Sequence, residues 1–566
     1  MLATHFLSPE RLITTLLCAG ICTTTAFAQT VGGGYDQIHQ WNGQVQSPIF
    51  GHCVSGGGDL NADGYDDIVV SNQVSSGIGV TTGSVFAYSG SDGSLLYQWD
   101  SGAPEDRHGH SVAIAGDVNG DGFDDIIIGA PGDSNATHWA FGSAFVYSGK
   151  DGSNLYHWEG SAAGDNLGWS VAGAGDVNAD GFDDVIVSAP FAGLPGGLTS
   201  AGLVYVYSGN DGSLLHLFEG EDANHLLGLS ASGAGDVNND GFGDVIIGTR
   251  VPSPGGIPSA GSAYVYSGSN GNLLYQWNGT MKDEQLGVAV SGAGDLNADD
   301  FDDLIVGTGI RANVAYAYSG KDGSLMFQWD GENTLDSFGT KVSEAGDFNG
   351  DGYSDVIIGA YSSDFVHNQS GAAYIYSGND GALIKRFDGQ WLDKHFGFSV
   401  SNAGDLNGDG FADVVVGSPN SSHGLPFSGS AFTFGYSPFM ESNTSTVSAS
   451  SGGSIDLALN FPVEAVSNEY KILISSTGVG PTNYGIDIPL TQDSLVIETF
   501  LGIYPVPASN MHGTLDGYGN ASASLTIPAD LPSALVGNIY YLAAIANQPG
   551  QLPDFSSVAV QLLVVP

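Results

Sequence analysis

Short apolar segments recur between residues 35 and 437 in a fixed order of four. The first segment, as in residues 167–172, precedes an acidic stretch, and the second, as in residues 184–187, follows it. The third is alternating and aromatic, as in residues 263–268, and the fourth has the form of residues 273–277. Four antiparallel strands per repeat of about 58 residues are typical of a β-propeller blade. The pattern therefore predicts an all-β chain built from repeated blades.

A turn signal stands between the third and fourth segments. Asp-Gly and Asn-Gly pairs favour type I′ hairpins, in which both central residues have positive φ. The sequence therefore predicts two-residue hairpins at Asp92-Gly93, Asp151-Gly152, Asp211-Gly212, Asn270-Gly271, Asp322-Gly323 and Asp380-Gly381.

An acidic stretch of nine residues separates the first and second segments and occurs seven times, at spacings of 52 to 60 residues. Each copy has side-chain oxygens at positions 1, 3, 5 and 9, in the order Asp, Asn, Asp and Asp. Position 7 is always aromatic, and we expect its backbone carbonyl to turn inward. The predicted metal ligands are Asp59, Asn61, Asp63, Tyr65, Asp67, Asp117, Asn119, Asp121, Phe123, Asp125, Asp176, Asn178, Asp180, Phe182, Asp184, Asp236, Asn238, Asp240, Phe242, Asp244, Asp295, Asn297, Asp299, Phe301, Asp303, Asp347, Asn349, Asp351, Tyr353, Asp355, Asp405, Asn407, Asp409, Phe411 and Asp413.

These stretches predict calcium sites, up to seven in number. Ca²⁺ takes about six to eight oxygen ligands, whereas Mg²⁺ demands a stricter octahedron and zinc prefers the His or Cys that the stretches lack. An EF-hand is disfavoured because its loop needs a bidentate acid at position 12, where apolar residues such as Val70 and Ile128 stand. An acidic turn without metal would explain one copy, but not seven with the same oxygen positions.

The last repeat tests whether the blades close into a ring. It ends at Phe434 after three segments, and residues 37–43 near the N-terminus copy the fourth-segment pattern of residues 96–100. An N-terminal strand that completes the last blade would remove the free sheet edges. The sequence thus predicts a seven-bladed β-propeller closed by residues 37–41. An open solenoid would leave that strand without a partner.

The repeats resemble the FG-GAP repeats of the integrin alpha-subunit β-propeller over residues 35–437. The FG element stands at Phe50-Gly51, Phe338-Gly339 and Phe396-Gly397, and the GAP element at Gly129-Ala130-Pro131. The resemblance implies a seven-bladed ring that holds Ca²⁺ between the first and second strands of a blade. Integrin propellers carry this loop in only some blades, whereas all seven repeats have it here. We recognise no integrin transmembrane helix, cytoplasmic tail or leg domain, so integrin signalling is not expected.

One acidic stretch departs from the pattern, because Asp300 replaces Gly at position 6. That position is expected to need positive φ, which Asp adopts at a cost. The stretch that begins at Asp295 is therefore predicted to bind Ca²⁺ more weakly than the others.

Strand order predicts two faces for the ring. The acidic stretches and the Asp-Gly turns share one face, and the remaining connections share the opposite face. The latter vary between blades, and loops on a rigid scaffold commonly carry binding sites. Trp139 and Trp391 are candidate ligand anchors there, and the alternative is that each packs on its own loop.

Composition limits the partners. The 566 residues carry a formal net charge of -49, from 12 Lys and Arg against 61 Asp and Glu, so nucleic acid and anionic membranes are disfavoured. An extracellular protein or glycan ligand is expected. The oligomeric state is not predicted.

Four parts are predicted along the chain. An apolar run after Arg11 and the site Ala26-Phe27-Ala28 predict a signal peptide over residues 1–28, before a propeller over residues 29–438. Residues 439–453 predict a linker, and residues 454–566 a β-sandwich. The mature chain is expected to be secreted or at the cell surface, without a transmembrane segment. Its only thiol, Cys53, is expected to be a small buried residue outside any disulfide.

Catalytic signals are weak. His108 and His110 are expected on one strand face, but no third ligand lies near them, so packing is favoured over zinc. The motifs Gly-x-Ser-x-Gly and His-Glu-x-x-His do not occur. The preferred hypothesis is a non-enzymatic adhesion or recognition module. The alternatives are an extracellular enzyme that acts on polysaccharide through the propeller channel, and a self-assembling surface or matrix protein.

Overall fold

The computed structural model describes residues 30–43, 48–75, 81–101, 103, 105–134, 139–250, 256–363, 369–390, 393–423 and 425–438, and beyond these the C-terminal strands given below. All regular elements in these residues are β-strands. The chain divides into two compact units, Tyr35–Tyr436 and the combination of Met1–Gly34 with Ser437–Pro566. The predicted signal peptide lies outside the described residues.

Seven blades of four strands each build the first unit, which confirms the predicted seven-bladed β-propeller. Six blades are separate sheets, and the strands of the seventh, β26, β27, β28 and β1, belong to a larger sheet. In blades 1 to 6 the four strands follow chain order and pair antiparallel. After β1 (Thr30–Asn42), the strands are β2 (Pro48–Gly58), β3 (Asp67–Ser75), β4 (Thr81–Tyr88) and β5 (Leu95–Asp100) in blade 1; β6 (Ser111–Gly116), β7 (Asp125–Ala130), β8 (Ser143–Tyr147) and β9 (Asn154–Glu159) in blade 2; β10 (Val171–Gly175), β11 (Asp184–Ala189), β12 (Leu203–Tyr207) and β13 (Leu214–Glu219) in blade 3; β14 (Ser230–Gly235), β15 (Asp244–Thr249), β16 (Ser262–Tyr266) and β17 (Leu273–Asn278) in blade 4; β18 (Val290–Gly294), β19 (Asp303–Gly307), β20 (Val314–Tyr318) and β21 (Leu325–Asp330) in blade 5; β22 (Phe338–Gly346), β23 (Asp355–Ala360), β24 (Ala372–Ser377) and β25 (Leu383–Asp388) in blade 6; and β26 (Ser399–Gly404), β27 (Asp413–Ser418) and β28 (Ser430–Pro438) in blade 7.

Burial follows the position of each strand in its blade. The second strands are buried along their length, as in β7, because neighbouring blades cover both faces. The fourth strands alternate between exposed and half-buried residues, as in β9, because they form the outer edge. Apolar side chains of adjacent blades share one core, for example Ile127 and Val146 of blade 2 with Val185 of blade 3. This burial is the dominant favourable term in folding.

The N-terminal strand completes the last blade, as predicted. β1 lies beside β28 as the fourth strand of blade 7, and Trp41 Nε1 donates to the Gly93 carbonyl of blade 1 at 3.0 Å. The same bond joins other neighbouring blades, from Trp99 to Gly152 at 3.1 Å. It recurs from Trp158 to Gly212, Trp277 to Gly323 and Trp329 to Gly381. The ring is thus closed at its outer edge by the contact that its other blades use.

A circle of backbone hydrogen bonds joins the acidic stretches of all seven blades. In each pair of neighbours, the N–H at position 8 donates to the carbonyl oxygen at position 1 of the preceding blade. The bond from Asp66 to Asp405, 3.2 Å long, closes the circle between blades 1 and 7. The others run from Asp124 to Asp59, Asp183 to Asp117, Gly243 to Asp176, Asp302 to Asp236, Ser354 to Asp295 and Ala412 to Asp347. The ring is therefore also closed near its inner circumference.

The turns between third and fourth strands differ from the predicted type I′ hairpin. Only the Gly of each pair has positive φ, as at Gly93 with 72°, and the connection in blade 1 runs from Tyr88 to Leu95. Within it, the N–H of Gly90 donates to the buried Asp67 carboxylate at 3.0 Å. The predicted turn type was wrong because the turn is longer than two residues. The bond from Gly90 to Asp67 fixes the residues of the turn that precede the Asp-Gly pair.

The second unit contains the C-terminal strands. They are β29 (Met440–Ser442), β30 (Thr446–Ser448), β31 (Gly453–Asn460), β32 (Glu469–Ser475), β33 (Pro481–Asn483), β34 (Asp487–Pro489), β35 (Ala508–Ser509), β36 (His512–Thr514), β37 (Asn520–Ile527), β38 (Ile539–Asn547), β39 (Phe555–Ser557) and β40 (Val560–Val565). One sheet has the order β29, β31, β37 and β35, and a second group joins β30, β40, β38, β32, β36 and β39. Leu457 of the first sheet and Ile472 of the second are buried, as the predicted β-sandwich requires. β29 and β30 fall within residues 439–453, for which a linker was predicted.

Candidate functional site

The seven acidic stretches lie at one end of the propeller. Each joins the first strand of its blade to the second, and the turn between third and fourth strands contacts it. In blade 1, Ser91 Oγ donates to Asp63 Oδ2 at 3.1 Å. We call this end, formed by the acidic stretches and these turns, the acidic face. The remaining connections meet at the other end, the variable face, where Asn166 Nδ2 donates to the Pro131 carbonyl at 2.7 Å.

One hydrogen-bond network recurs in all seven acidic stretches. In blade 1, Asp59 at position 1 accepts the N–H groups of Asp63 and Gly64 at 3.1 and 2.8 Å. Asp63 at position 5 accepts the N–H of Tyr65 at 3.0 Å. The equivalent bonds form in the other six blades. Side-chain bonds to local N–H groups fold positions 1 to 7 into a compact loop.

The carboxylate at position 9 is buried beneath each loop. In blade 1, Asp67 Oδ2 accepts the N–H of Leu60 at 2.9 Å, and its Oδ1 accepts that of Gly90. Burial raises the pKa of Asp67 to about 7, and the like charges of Asp59 and Asp63 contribute to the rise. Burial also raises the pKa to about 6 at Asp184, to about 7 at Asp125, Asp244 and Asp303, and to about 8 at Asp355 and Asp413. A cation at the loop would favour the ionised form.

The donor set of each loop fits a hard cation. It offers carboxylates at positions 1, 5 and 9 and an amide at position 3, and a carboxylate that accepts two N–H groups retains lone pairs for a metal. Among the described residues, no group of three or more His, Cys, Asp or Glu side chains is arranged to hold a metal ion. In blade 1, Asn61 Nδ2 instead donates to Asp67 at 3.2 Å. The calcium sites therefore stay a prediction that rests on the chemistry of the donors.

Two of the loops carry a lysine that the sequence analysis did not single out. In blade 2, Lys150 Nζ lies 3.7 Å from Asp121 Oδ2 and 5.0 Å from the centroid of the Phe123 ring. In blade 5, Lys321 Nζ lies 3.4 Å from Asp299 Oδ2 and over the adjacent aromatic ring at position 7. Both ammonium groups stand beside the position-5 carboxylate. Each would therefore compete with a metal ion for the negative charge of that carboxylate.

Position 6 has the backbone conformation expected from the sequence. The Gly residues there have positive φ, as at Gly64 with 88°, and Asp300 has a φ of 67°. The N–H of Asp300 still donates to Asp295 Oδ2 at 2.9 Å. Asp300 thus keeps the loop network in a conformation that favours glycine. Its effect on calcium affinity stays a prediction.

Position 8 was not recognised as functional in the sequence, although it joins the blades. In four pairs of blades its Asp Oδ2 accepts the N–H of position 1 in the preceding blade, as from Asp59 to Asp124 at 2.7 Å. The other three bonds join Asp117 to Asp183, Asp236 to Asp302 and Asp405 to Asp66. The Gly before position 1 makes room for this carboxylate, because a Cβ at Gly404 would lie 2.0 Å from Asp66 Oδ2. The signal in the sequence was the Asp at position 8 in four of the seven copies, together with a Gly before position 1 in every copy.

Exposed apolar side chains gather on the variable face. Trp139, one of the two predicted anchors, is 71% exposed, whereas Trp391 lies outside the described residues. The other large apolar residues that are exposed in these connections are Met281, Ile310, Leu335, Leu425 and Phe427. Among the described residues, the remaining exposed large apolar side chains all lie in fourth strands, at Leu95, Leu214, Leu217, Leu273, Leu325 and Leu383. The acidic face contributes none of them.

The first strands line a central channel of about 790 Å³. Cys53 lies in its wall and is free, as expected, and its Sγ is 3.8 Å from the Val112 carbonyl of the next blade. Burial raises the pKa of this thiol. Cys53 therefore acts as a small packing residue between two blades.

His108 and His110 have different surroundings, which corrects the expectation that they share one strand face. His108 is buried 5.6 Å from the Phe145 ring, whereas His110 lines the channel 4.6 Å from the Trp169 ring. Gly109 between them has a φ of 80°, and β6 begins only at Ser111. The positive φ turns the chain before the strand starts, so strand alternation does not apply.

Comparison with known proteins identifies the repeats. The FG-GAP repeat family model matches residues 108–146, 167–207, 338–376 and 396–434, which lie in blades 2, 3, 6 and 7. Integrin alpha-5 of Xenopus laevis is 31% identical over 37% of this chain and 20% of its own length. Integrin alpha-V of Gallus gallus is 29% identical over 40% of the chain and 22% of its own length.

A third relative is integrin alpha pat-2 of Caenorhabditis elegans, which is 28% identical over 55% of the chain and 22% of its own length. The chain thus spans about a fifth of the length of these relatives. It contains FG-GAP repeats and resembles integrin alpha subunits. Among the described residues, no helix is long and apolar enough to cross a membrane.

Proposed function

We propose that this FG-GAP propeller is an extracellular recognition module that binds a protein or glycan ligand through its variable face. In this proposal, Ca²⁺ ions in the acidic loops hold the ring together. The resemblance to integrin alpha subunits supports a role in adhesion. No chemical reaction is assigned to the molecule.

The observation that carries the proposal is the unequal distribution of exposed apolar side chains. Trp139 and Phe427 are 71% and 58% exposed in connections of the variable face. Aromatic residues in such positions dominate the energetics of protein interfaces. The acidic face repeats one loop structure seven times and therefore suits a structural role.

The loop chemistry supports calcium as the structural ion. Each loop brings three carboxylates together and buries the third, which is costly unless a cation compensates the charge. The net charge of -49 over the chain adds to this cost. Seven hard cations at the circle of acidic stretches would offset repulsion between neighbouring blades.

A screen of glycans and extracellular proteins, run in calcium and in EDTA, tests the function. Trp139→Ala and Phe427→Ala should weaken binding of a retained ligand, because each removes an exposed aromatic contact. Leu95→Ala and Leu214→Ala are matched controls that remove exposed apolar side chains from fourth strands, and they should leave binding unchanged.

Several outcomes would contradict the proposal. Equal losses in the variable-face variants and the fourth-strand controls would place the binding surface elsewhere. Formation of products from the retained glycans would show an enzyme. Concentration-dependent assembly in calcium, without any other ligand, would favour a self-assembling protein.

A further inference from the structure

One residue breaks the repeat inside the channel. At its position in the first strand, the other six blades have a small residue, namely Cys53, Ser111, Ser170, Ser230, Ala289 and Ser399. The serine hydroxyls join neighbouring first strands, as where Ser111 Oγ accepts the N–H of Val171 at 3.1 Å. Blade 6 has Lys341 there, which like Ala289 of blade 5 has no hydroxyl for this bond and is the only large or charged residue at the position. A residue that departs from a structural rule in this way is often functional.

Lys341 is exposed within the channel wall. Burial lowers the pKa of His52 to about 4 and that of His110 to about 3, and the charge of Lys341 contributes to both shifts. Lys341, His52 and His110 line the same channel, and the ring centroids of the two imidazoles are 5.7 Å apart. Among the described residues, Lys341 forms no ion pair with a carboxylate.

The surrounding groups are hydrogen-bond donors and aromatic rings. His52 Nδ1 is buried without a hydrogen-bond partner, and His110 Nδ1 lies 3.2 Å from Gln73 Nε2. Both imidazoles are neutral at pH 7, so each carries one N–H. An amide that donates to His110 Nδ1 leaves the N–H of that ring on Nε2, so Nε2 is the donor that a ligand could use. The Trp169 ring lies 4.6 Å from His110, and the Phe398 ring lies 5.4 Å from His52. The channel mouth thus combines the charge of Lys341, uncharged donors and two aromatic surfaces.

Charge along the channel has a direction. Lys341 and Arg250 are the cations of the described lining, and both stand toward the variable face. Asp302 and Glu344 are its acids, and they stand toward the acidic face. Walls of one charge sign focus the field within a cleft. The two cations therefore make the mouth on the variable face the less negative end of the channel in a chain with a net charge of -49.

We propose that this mouth binds the carboxylate of an acidic sugar. Lys341 pairs with the carboxylate, His52 and His110 donate hydrogen bonds to it, and Trp169 and Phe398 contact the sugar ring. The Lys341 ammonium and the neutral donors suit one carboxylate. The channel behind the mouth has a volume of about 790 Å³ over its whole length, which leaves room for a sugar, because small-molecule pockets span about 300 to 1,000 Å³. The inference rests on the proposed function, because it names the ligand class of the variable face.

Calorimetric titration with glucuronate and galacturonate tests the site, with glucose, galactose, acetate and sulfate as comparison probes. The uronates should bind more tightly than the other four. Lys341→Ser introduces the serine that four of the other six blades have, so it should fold, and a melting curve checks this. Loss of the charged partner should weaken uronate binding about tenfold to a hundredfold. Lys282→Ser, which removes a cation from the same face outside the channel lining, should leave binding unchanged.

Unchanged uronate affinity in Lys341→Ser overturns the site. Equal binding of glucose and glucuronate overturns the role of the charge, and equally tight binding of acetate or sulfate overturns the role of the sugar ring. If no uronate binds but another ligand depends on Trp139, this inference fails and the proposed function stands. If uronate binding depends on Lys341 but no retained ligand depends on Trp139 or Phe427, the channel site stands, and the proposed binding through Trp139 and Phe427 on the variable face fails.

Discussion

Trp41 allows a direct measurement of how the ring closes. Trp41→Phe removes the indole N–H that donates to Gly93 at 3.0 Å and keeps an aromatic ring near Tyr88, whose centroid is 5.1 Å away. Phe218 and Phe387 occupy the equivalent position in blades 3 and 6, so the blade accepts Phe there. Trp41→Ala removes both the hydrogen bond and the ring.

The two substitutions separate two contributions to stability. Loss of one neutral hydrogen bond lowers the free energy of unfolding by about 0.5 to 1.5 kcal/mol. A fully buried Trp replaced by Ala costs about 3 to 5 kcal/mol, and Trp41 is half-buried beside the core of Phe50, Val54 and Ile68. We therefore expect Trp41→Ala to cost roughly 2 to 4 kcal/mol.

Chemical denaturation measures these losses, and Trp329 is the matched control. Trp329 Nε1 makes the same bond to Gly381 at 2.9 Å between blades 5 and 6. Both Phe variants lose this bond, and Trp329→Phe should cost at least as much as Trp41→Phe, because Trp329 is buried and Trp41 is only half-buried. Hydrogen exchange should increase in β1 for Trp41→Ala, because β1 joins its neighbour β28 without a short connection along the chain.

The reasoning would be refuted if Trp41→Ala unfolded at the wild-type denaturant concentration with unchanged exchange in β1. That result would mean that β1 contributes nothing to closure. A loss confined to Trp329→Ala would show that only the covalently continuous blades depend on this contact.

Further predictions concern the acidic face. Chelation of calcium by EDTA should lower Tm strongly, because each site filled at a hundredfold excess over Kd contributes about 2.7 kcal/mol, and an unchanged Tm would contradict structural calcium. Asp124→Ala should cost about 1 to 3 kcal/mol in denaturation, because the Asp59 N–H loses an acceptor at 2.7 Å, whereas the exposed Asp222→Ala should cost nothing measurable. Lys150→Ser and Lys321→Ser introduce the serine that stands at Ser91 and Ser269 in other blades. Each should tighten calcium binding about twofold to fivefold in titrations, because it removes an exposed ion pair from the position-5 carboxylate. Unchanged affinity would show that the lysines do not compete with the metal. Asp300→Gly should tighten binding at the Asp295 loop, and a wild-type loop that already ranked among the tightest would refute the cost assigned to Asp300.

Local patterns predicted the strands but not the contacts between blades. Two local patterns were enough to predict the strands of a blade and the strand that closes the ring. They are the alternation in residues 263–268 and the copy of the fourth-segment pattern at Trp41, and both can be read over a few neighbouring residues. The Asp92-Gly93 turn was assigned the wrong type, since the bond between Gly90 and the buried Asp67 acts across the blade. Position 8 was missed because its partner stands 65 or 66 residues away in three pairs of blades and 339 residues away in the fourth pair.

The sequence by itself determined the number of blades, the strand that closes the ring and the oxygen-rich composition of the loops. These properties can be read from the repeated sequence pattern, because each blade needs the same strands in order to bury its apolar faces. The tertiary structure decided what residues of different blades do together. Lys341 lines one channel with His52 and His110, and Asp66 accepts the N–H of Asp405, only because the ring brings distant first strands and loops side by side. The chemistry of these side chains depends on distances between residues of different blades, which the sequence of one repeat does not contain.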